Sequence, residues 1–260
     1  MREVQTDTPE LRIAACIGQH RGDRGEQQDR VALLSSLRDP RCALAVLADG
    51  VGGVSGGALA AENAIVVSRR RFAEFDPRSG SPETFFRALV SEIHTVLRLD
   101  GVATGLRPHT TFAALMLQPD RADWCHVGDS RIHHIRAGRV RHRSVDQKVQ
   151  CGSGPQVETL GGTQTPRPEC DSETGLRVED CYLLCSDGLS NYLSDAELAA
   201  AATALAPREA VEALIGTARE RAGGKGDNCS LALLRLGRPP ARRPGRHPGA
   251  ASRPTKAPGK

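Results

Sequence analysis

The stretch Leu44-Ala45-Val46-Leu47-Ala48-Asp49-Gly50-Val51-Gly52-Gly53 decides how the chain is read. Five consecutive apolar residues predict a strand buried on both faces, and the run stops at an acid followed at once by glycine. Asp49 is therefore expected at the end of a rigid element with its carboxylate free to project. Gly50 lets the backbone come close to whatever Asp49 holds, so its carbonyl is a candidate second oxygen ligand. A fainter copy, Tyr182-Leu183-Leu184-Cys185-Ser186-Asp187-Gly188, again ends an apolar run in Asp-Gly. Two carboxylates at two strand ends suggest one shared cation site.

Outward from that strand the pattern changes period twice. Residues 11–17 predict a first strand closed by Gly18, and the polar segment 20–30 a loop before a strand at 31–34. After the glycines, 57–75 and 82–99 carry apolar residues at helical spacing, the second with Phe85, Phe86, Leu89, Val90, Ile93 and Val96 on one stripe. Short runs at 110–117, 123–127, 131–135 and 140–143, separated by turn residues, predict an antiparallel meander. Residues 146–180 are broken by Pro and Gly and predict an irregular loop region with one short helix. A strand at 181–185, helices at 195–204 and 207–222 and a closing strand at 229–236 complete the chain. This order fits two sheets covered by helices on both sides.

The formal net charge of +4 misrepresents the body of the protein. Seven of the 35 Lys and Arg lie in the last 24 residues, leaving 28 against 31 acids, a balance of about −3. Six Pro and four Gly in that segment leave little apolar surface to bury, so 237–260 is expected to be a disordered basic tail. A solvated appendage is preferred over contact of the tail with nucleic acid or anionic lipid. Residues 1–10 have no signal-peptide core, and no window approaches the ~18 apolar residues of a membrane span, so a cytoplasmic protein, monomeric, is expected.

Eight cysteines are scattered without a Cys-x-x-Cys pair, and Cys181 and Cys185 on one strand would stand about 13 Å apart. Free thiols in a reducing compartment are the expectation. Cys185 and Cys229, near the acids, read as structural rather than redox-active. His133-His134 on a meander strand predicts one exposed and one half-buried ring, because adjacent strand positions face opposite ways. Neither Gly50 to Gly53 nor Gly223-Gly224-Lys225-Gly226 completes a phosphate-binding loop.

Four acids share one placement: Asp29 enters a strand, Asp49 and Asp187 leave strands before Gly, and Asp227 precedes the final strand in Gly226-Asp227-Asn228. Hard oxygen donors of this kind suit Mg²⁺ or Mn²⁺, and the absence of a His-Glu-x-x-His or Cys cluster argues against zinc.

In six ordered segments the chain resembles the protein phosphatase 2C (PPM) serine/threonine phosphatases in their compact bacterial form. They are Arg24-x-x-Gln27-Gln28-Asp29, Ala48-Asp49-Gly50-Val51-Gly52-Gly53, Thr110-Thr111, Val127-Gly128-Asp129-Ser130-Arg131, Leu184-Cys185-Ser186-Asp187-Gly188-Leu189 and Gly226-Asp227-Asn228. The resemblance spans 11–236 and implies an α+β, four-layer α-β-β-α sandwich of two antiparallel sheets flanked by helices. It implies further that Asp49 bridges two Mn²⁺ or Mg²⁺ ions, one of them also bound by the Gly50 carbonyl, Asp187 and Asp227. Asp29 would hold the second ion largely through water, Asp129 a third, and Arg24 would grip the substrate phosphate, for which a planar bidentate donor is apt. A water shared by two cations about 4 Å apart would then attack phosphorus in line. Phosphorylated proteins, a Ser/Thr kinase and its substrates, are the implied partners.

Departures from the pattern sit beside the site. Gln27 replaces the usual Asn, and Gln28 stands where some members have Glu. Val51 replaces a histidine acid, so the leaving-group proton is expected from a metal-bound water. His109 replaces Gly, Asp146-Gln147-Lys148 replaces Asp-His-Ser, and 149–175 aligns poorly with the family's flap. The competing reading is a binding module on the same fold that recognises a phosphoprotein without turnover.

Overall fold

From Leu44 to Ala48 no side chain reaches solvent, and the strand they form has hydrogen-bonded neighbours on both edges. In this computed structural model, which describes residues 11–51, 55–151 and 154–238, that strand is β3 (Ala43–Asp49). It lies between β2 (Asp29–Ser35) and β4 (Phe112–Leu117) in a sheet continued by β5 (Arg121–Val127) and β10 (Glu169–Thr174). The other sheet runs β1 (Arg12–His20), β12 (Cys229–Gly237), β11 (Cys181–Cys185), β6 (Arg131–Arg136), β7 (Arg139–Arg143). β8 (Lys148–Cys151) and β9 (Gly154–Val157) form a separate hairpin.

Period-two alternation assigns every core residue to a layer. Ala45 and Leu47 of β3, Ala113 and Leu115 of β4, and Tyr182 and Leu184 of β11 fill the space between the sheets. Leu44, Val46 and Met116 face α1 (Gly57–Glu74) and α2 (Pro82–Thr104). Cys181, Leu183 and Leu233 face α4 (Asp195–Ala204) and α5 (Pro207–Ala222). The result is the expected four-layer α-β-β-α sandwich, with antiparallel pairing throughout both sheets. The central strands read as unbroken apolar runs because both of their faces are covered.

Three expectations need correction. Gly18 does not close β1, because a Cβ there would lie 2.4 Å from Val211 Cγ1; the glycine marks where α5 crosses the strand. Among its described residues the segment 146–180 holds no helix but contributes β8, β9 and β10. β10 is a polar edge strand in which only Cys170 and Glu173 are half-buried, so it lacks a hydrophobic signal. His133 and His134 are both buried, since β6 lies inside its sheet with cover on each face. The His133 ring meets Asp195 at 3.1 Å at the start of α4, and His134 stacks on Tyr182 with ring centres 4.7 Å apart. The tail beyond Arg238, residues 1–10 and the Gly52-Gly53 pair lie outside the described residues.

Asp180, fully buried at the entry to β11, accepts from Arg136 Nε and Nη2 at 2.6 and 2.8 Å and from the Arg177 amide at 2.8 Å. Burial disfavours its charge, but these donors overcome that penalty and hold its pKa below the ordinary value. Asp180→Ala is expected to cost about 3–5 kcal/mol in denaturant unfolding, because it removes the buried bidentate partner of Arg136 and leaves that guanidinium only Glu173 at 3.5 Å.

Candidate active site

Antiparallel register places Asp29, the first residue of β2, directly opposite Asp49, the last of β3. The same end of the sandwich receives the C-terminus of β11 and the N-terminus of β12, since Cys185 pairs with Leu231 and His20 with Cys229. Asp187 follows as the first residue of α3 (Asp187–Ser190), and Asp227 lies two residues before β12. Chain topology, rather than sequence proximity, gathers the four acids.

Asp29 is fully buried, and its Oδ2 accepts from Ser186 Oγ at 2.8 Å while Oδ1 has no partner. The Ser186 hydroxyl in turn accepts from the Ser230 amide at 3.0 Å, which fixes its direction. Asp49 is held by its backbone: its N–H donates to Thr111 Oγ1, and its carbonyl accepts from Thr110 Oγ1 and the Thr111 amide. At Gly50 a Cβ would fall 2.3 Å from the Gly57 carbonyl oxygen, so only glycine lets the chain pass. Gly188 is equally constrained, with the Asn228 carbonyl oxygen 2.0 Å from an added Cβ.

The loop from 21 to 28 is tied to the start of β12 by one side chain. Asn228 Oδ1 accepts from the Gln28 amide at 2.7 Å, and its Nδ2 donates to the carbonyls of Arg21 and Glu26 at 2.7 and 2.9 Å. Asp23 adds a second tie to the Gly226 amide at 2.7 Å. Arg24 is thereby carried over the acids, where its Nη2 meets Asp227 Oδ2 at 2.5 Å. Arg24, Gln28, Asp49, Gly50, Asp227 and Asn228 line a groove of about 190 Å³. A larger cavity of about 530 Å³ lies at the opposite end of the same strands, lined by residues such as Leu11, Leu33 and Ala43, and it holds none of these acids.

Concentrated negative charge governs the electrostatics. Burial, then the charges of Asp29 and Asp187, push the Asp49 carboxyl well above the ordinary carboxylate range. Asp29 is raised by burial, with the Ser186 hydroxyl opposing. Asp187 is pushed up to about 6 by burial and then by Asp129, Asp227 and Asp29. Asp129, in the turn after β5, is raised by burial and by Asp146, and its charge acts in turn on Asp187 and Asp49.

This donor set fits divalent cations. It is all oxygen, it contains a buried carboxylate oxygen with no hydrogen-bond partner, and its members repel one another in a way a cation would relieve. Among the described residues, no three side chains of metal-binding type already surround a single point, and the Arg24 guanidinium supplies the positive charge at Asp227. Ser186, Ser230, Asn228, Thr110 and Thr111 support the acids. Ser186, Asn228, Thr110 and Thr111 lie in segments that carry the resemblance, but their supporting tasks, and Ser230 altogether, are visible only from the direction of their hydrogen bonds. Ser186→Ala removes the one donor to Asp29 Oδ2 and is expected to weaken Mn²⁺ binding about 10- to 100-fold in calorimetric titration.

Cys185 and Cys229 lie under this site as packed thiols, Cys185 raised far above its ordinary pKa and Cys229 to about 12, in both cases by burial.

The statistical model of the family described as Protein phosphatase 2C matches residues 18–221. Protein phosphatase PhpP of Streptococcus pneumoniae is 28% identical over 210 residues, covering 74% of this chain and 85% of its own. The Streptococcus agalactiae serine/threonine phosphatase superposes with a TM-score of 0.76 at 24% identity, covering 86% of this chain and 99% of that one. The catalytic domain of the phosphatase PstP, solved in complex with two manganese ions, gives 0.71 at 24% identity over 87% and 99%. At that level of identity the two structures speak for the fold.

Proposed function

Since the chain belongs to the protein phosphatase 2C family and is a metal-dependent protein serine/threonine phosphatase, we propose that the acids at the strand ends are its metal ligands and that it opposes a Ser/Thr kinase. The observation carrying this reading is the Asp29/Asp49 pair at facing strand ends, joined by Asp187: Asp29 is raised chiefly by burial, and Asp49 and Asp187 by burial and then by the charges of neighbouring carboxylates. On this reading Asp49 would serve both Mn²⁺ or Mg²⁺ ions, Gly50, Asp187 and Asp227 would help hold one, Asp29 the other, and Asp129 a third. When bound, the ions supply the positive charge that acidifies an attacking water and neutralises charge developing on the phosphoryl oxygens.

The chain's own residues do the rest. Ser186 holds Asp29 in one orientation, and the Thr110-Thr111 backbone and hydroxyls fix Asp49. Arg24 is free to exchange its Asp227 partner for a substrate phosphate, since its side chain is 55% exposed. Among the described residues no Ser, Thr, Cys or His lines the groove, which suits direct attack by water. On the same reading, the phosphatase domain spans 11–236, its substrates are phosphoserine and phosphothreonine proteins, and the enzyme acts as a cytoplasmic monomer. Among the described residues no helix is long and apolar enough to cross a membrane.

The test is hydrolysis of phosphothreonine peptides with Mn²⁺, with Mg²⁺ and with a chelator. Turnover that needs the metal is expected; stoichiometric metal binding with no turnover would favour the binding-module reading. Arg24→Ala is expected to raise KM for the peptide about 10- to 100-fold, the value of a charge-assisted bond of about 1.5–3 kcal/mol, with a smaller change in kcat.

A further inference from the structure

Cys125 on β5 and Cys170 on β10 stand directly opposite each other in the antiparallel register. Opposed residues project to the same face, with Cα atoms about 4.5–5.5 Å apart, inside the span that a disulfide bridges. Both are free thiols here. Cys125 is buried in the core beneath α1 and α2, and Cys170 packs against that core at half burial. Cys170 also opens on two surface grooves, one of about 380 Å³ with Arg87 and His142 on its wall and one of about 250 Å³ with Glu83 and Phe86. Of the other described thiols only Cys16 escapes full burial.

The surroundings divide the two sulfurs into different roles. Cys125 is the largest influence lowering the Cys170 pKa; burial opposes it, Arg87 adds to it, and Glu83 and Asp123 resist. Cys125 is itself raised by Cys170 and then by burial, and Cys42, Cys181, Cys185 and Cys229 are raised by burial. Thiolate character together with solvent access is what selects a cysteine for oxidation.

We propose that Cys125 and Cys170 form a cross-strand dithiol that closes to a disulfide when the protein meets a hydroperoxide, Cys170 being oxidised first. The Cys170 thiolate attacks the peroxide oxygen, the O–O bond breaks, and Cys170 sulfenic acid forms as the other oxygen leaves, protonated, as water or alcohol. The Cys125 sulfur then attacks the Cys170 sulfur; the S–S bond forms, the S–O bond breaks, and hydroxide departs as water with the Cys125 proton. Two thiols lose two electrons, and the peroxide gains them.

Closure pins β10, an edge strand paired on one side only. It begins two residues after Arg167, whose amide donates to Glu158 Oε1 at 2.8 Å and whose carbonyl accepts from Gln147 Nε2 at 3.0 Å. Gln147 Oε1 accepts from the Gly128 amide at 3.0 Å, beside Asp129. The bridge therefore anchors one end of the segment that borders the acid cluster. This chemistry requires nothing of the hydrolytic reaction.

The experiment treats the full-length chain with hydrogen peroxide, alkylates it, and identifies linked peptides by non-reducing mass spectrometry. The Cys125 and Cys170 peptides are expected to link at least about tenfold faster than Cys185 or Cys229 is modified. Cys125→Ser is expected to leave Cys170 as a sulfenic acid trapped by a 1,3-dione reagent, and Cys170→Ser to abolish the link. In the unmodified sequence, amide exchange across Glu169–Thr174 is expected to slow at least about fivefold on oxidation and to recover with a reductant. Oxidation of Cys16 ahead of Cys170, a link through any other cysteine, or unchanged exchange in β10 overturns the proposal.

Discussion

Asp49→Asn is expected to lower metal-dependent hydrolysis of a phosphothreonine peptide by at least about 10³-fold, the scale on which a principal electrostatic group acts. The substitution keeps size and shape, and the backbone bonds to Thr110 and Thr111 that hold position 49 do not involve the changed atoms. What disappears is the negative charge proposed to serve both ions. The metal-free variant is expected to be more stable than the parent, because the carboxylate whose ionised form burial and then the charges of Asp29 and Asp187 disfavour is gone. Its stabilisation by Mn²⁺ is expected to shrink in parallel. Steady-state kinetics and thermal unfolding with and without Mn²⁺ check the three statements together, and full activity in the variant would falsify the assignment of Asp49.

The second large effect is a pH dependence that metal reverses. Asp187 titrates near its ordinary value of 3.8 when unfolded and near 6 when folded. Between those values the metal-free folded chain holds more protons than the unfolded one, so stability falls as pH rises. The contribution is fully present below pH 4 and lost through pH 6, and Asp49 and Asp29, also raised, act in the same direction. On the proposed assignment, saturating Mn²⁺ or Mg²⁺ would neutralise the same carboxylates, adding about 2.7 kcal/mol per site at a hundredfold excess over Kd. A rise in Tm of roughly 5–15 °C at pH 7.5, and a much smaller one near pH 4.5, is expected in melting curves with and without metal. An equal rise at both pH values would show that the acids do not hold the ion.

How much could be read beforehand depends on burial on each side of a strand. β3 and β11 were legible because layers on both faces demand continuous apolar runs, and Asp49 and Asp187 were legible as the polar residues ending them. β10 was not, since an edge strand with one packed face and a polar outer face has no run to display. Its pairing with β5 is what brings Cys170 to Cys125, so that contact was invisible too. His133 and His134 misled because alternation says which way a ring points, and only the layer arrangement shows that helix and sheet cover both directions. The acids themselves were visible as a pattern. Ser186 reveals its task only once Asp29 lies 2.8 Å from its hydroxyl.

The three hydrogen bonds of Asn228 to the 21–28 loop also bear on synthesis. Residue 24 leaves the ribosome early, but its position over the acids depends on residue 228, and Asp29 depends on Ser186 and Asp227 on the last strand. No nascent chain shorter than about this length can carry a finished site. The site is therefore complete only once β12 has closed between β1 and β11.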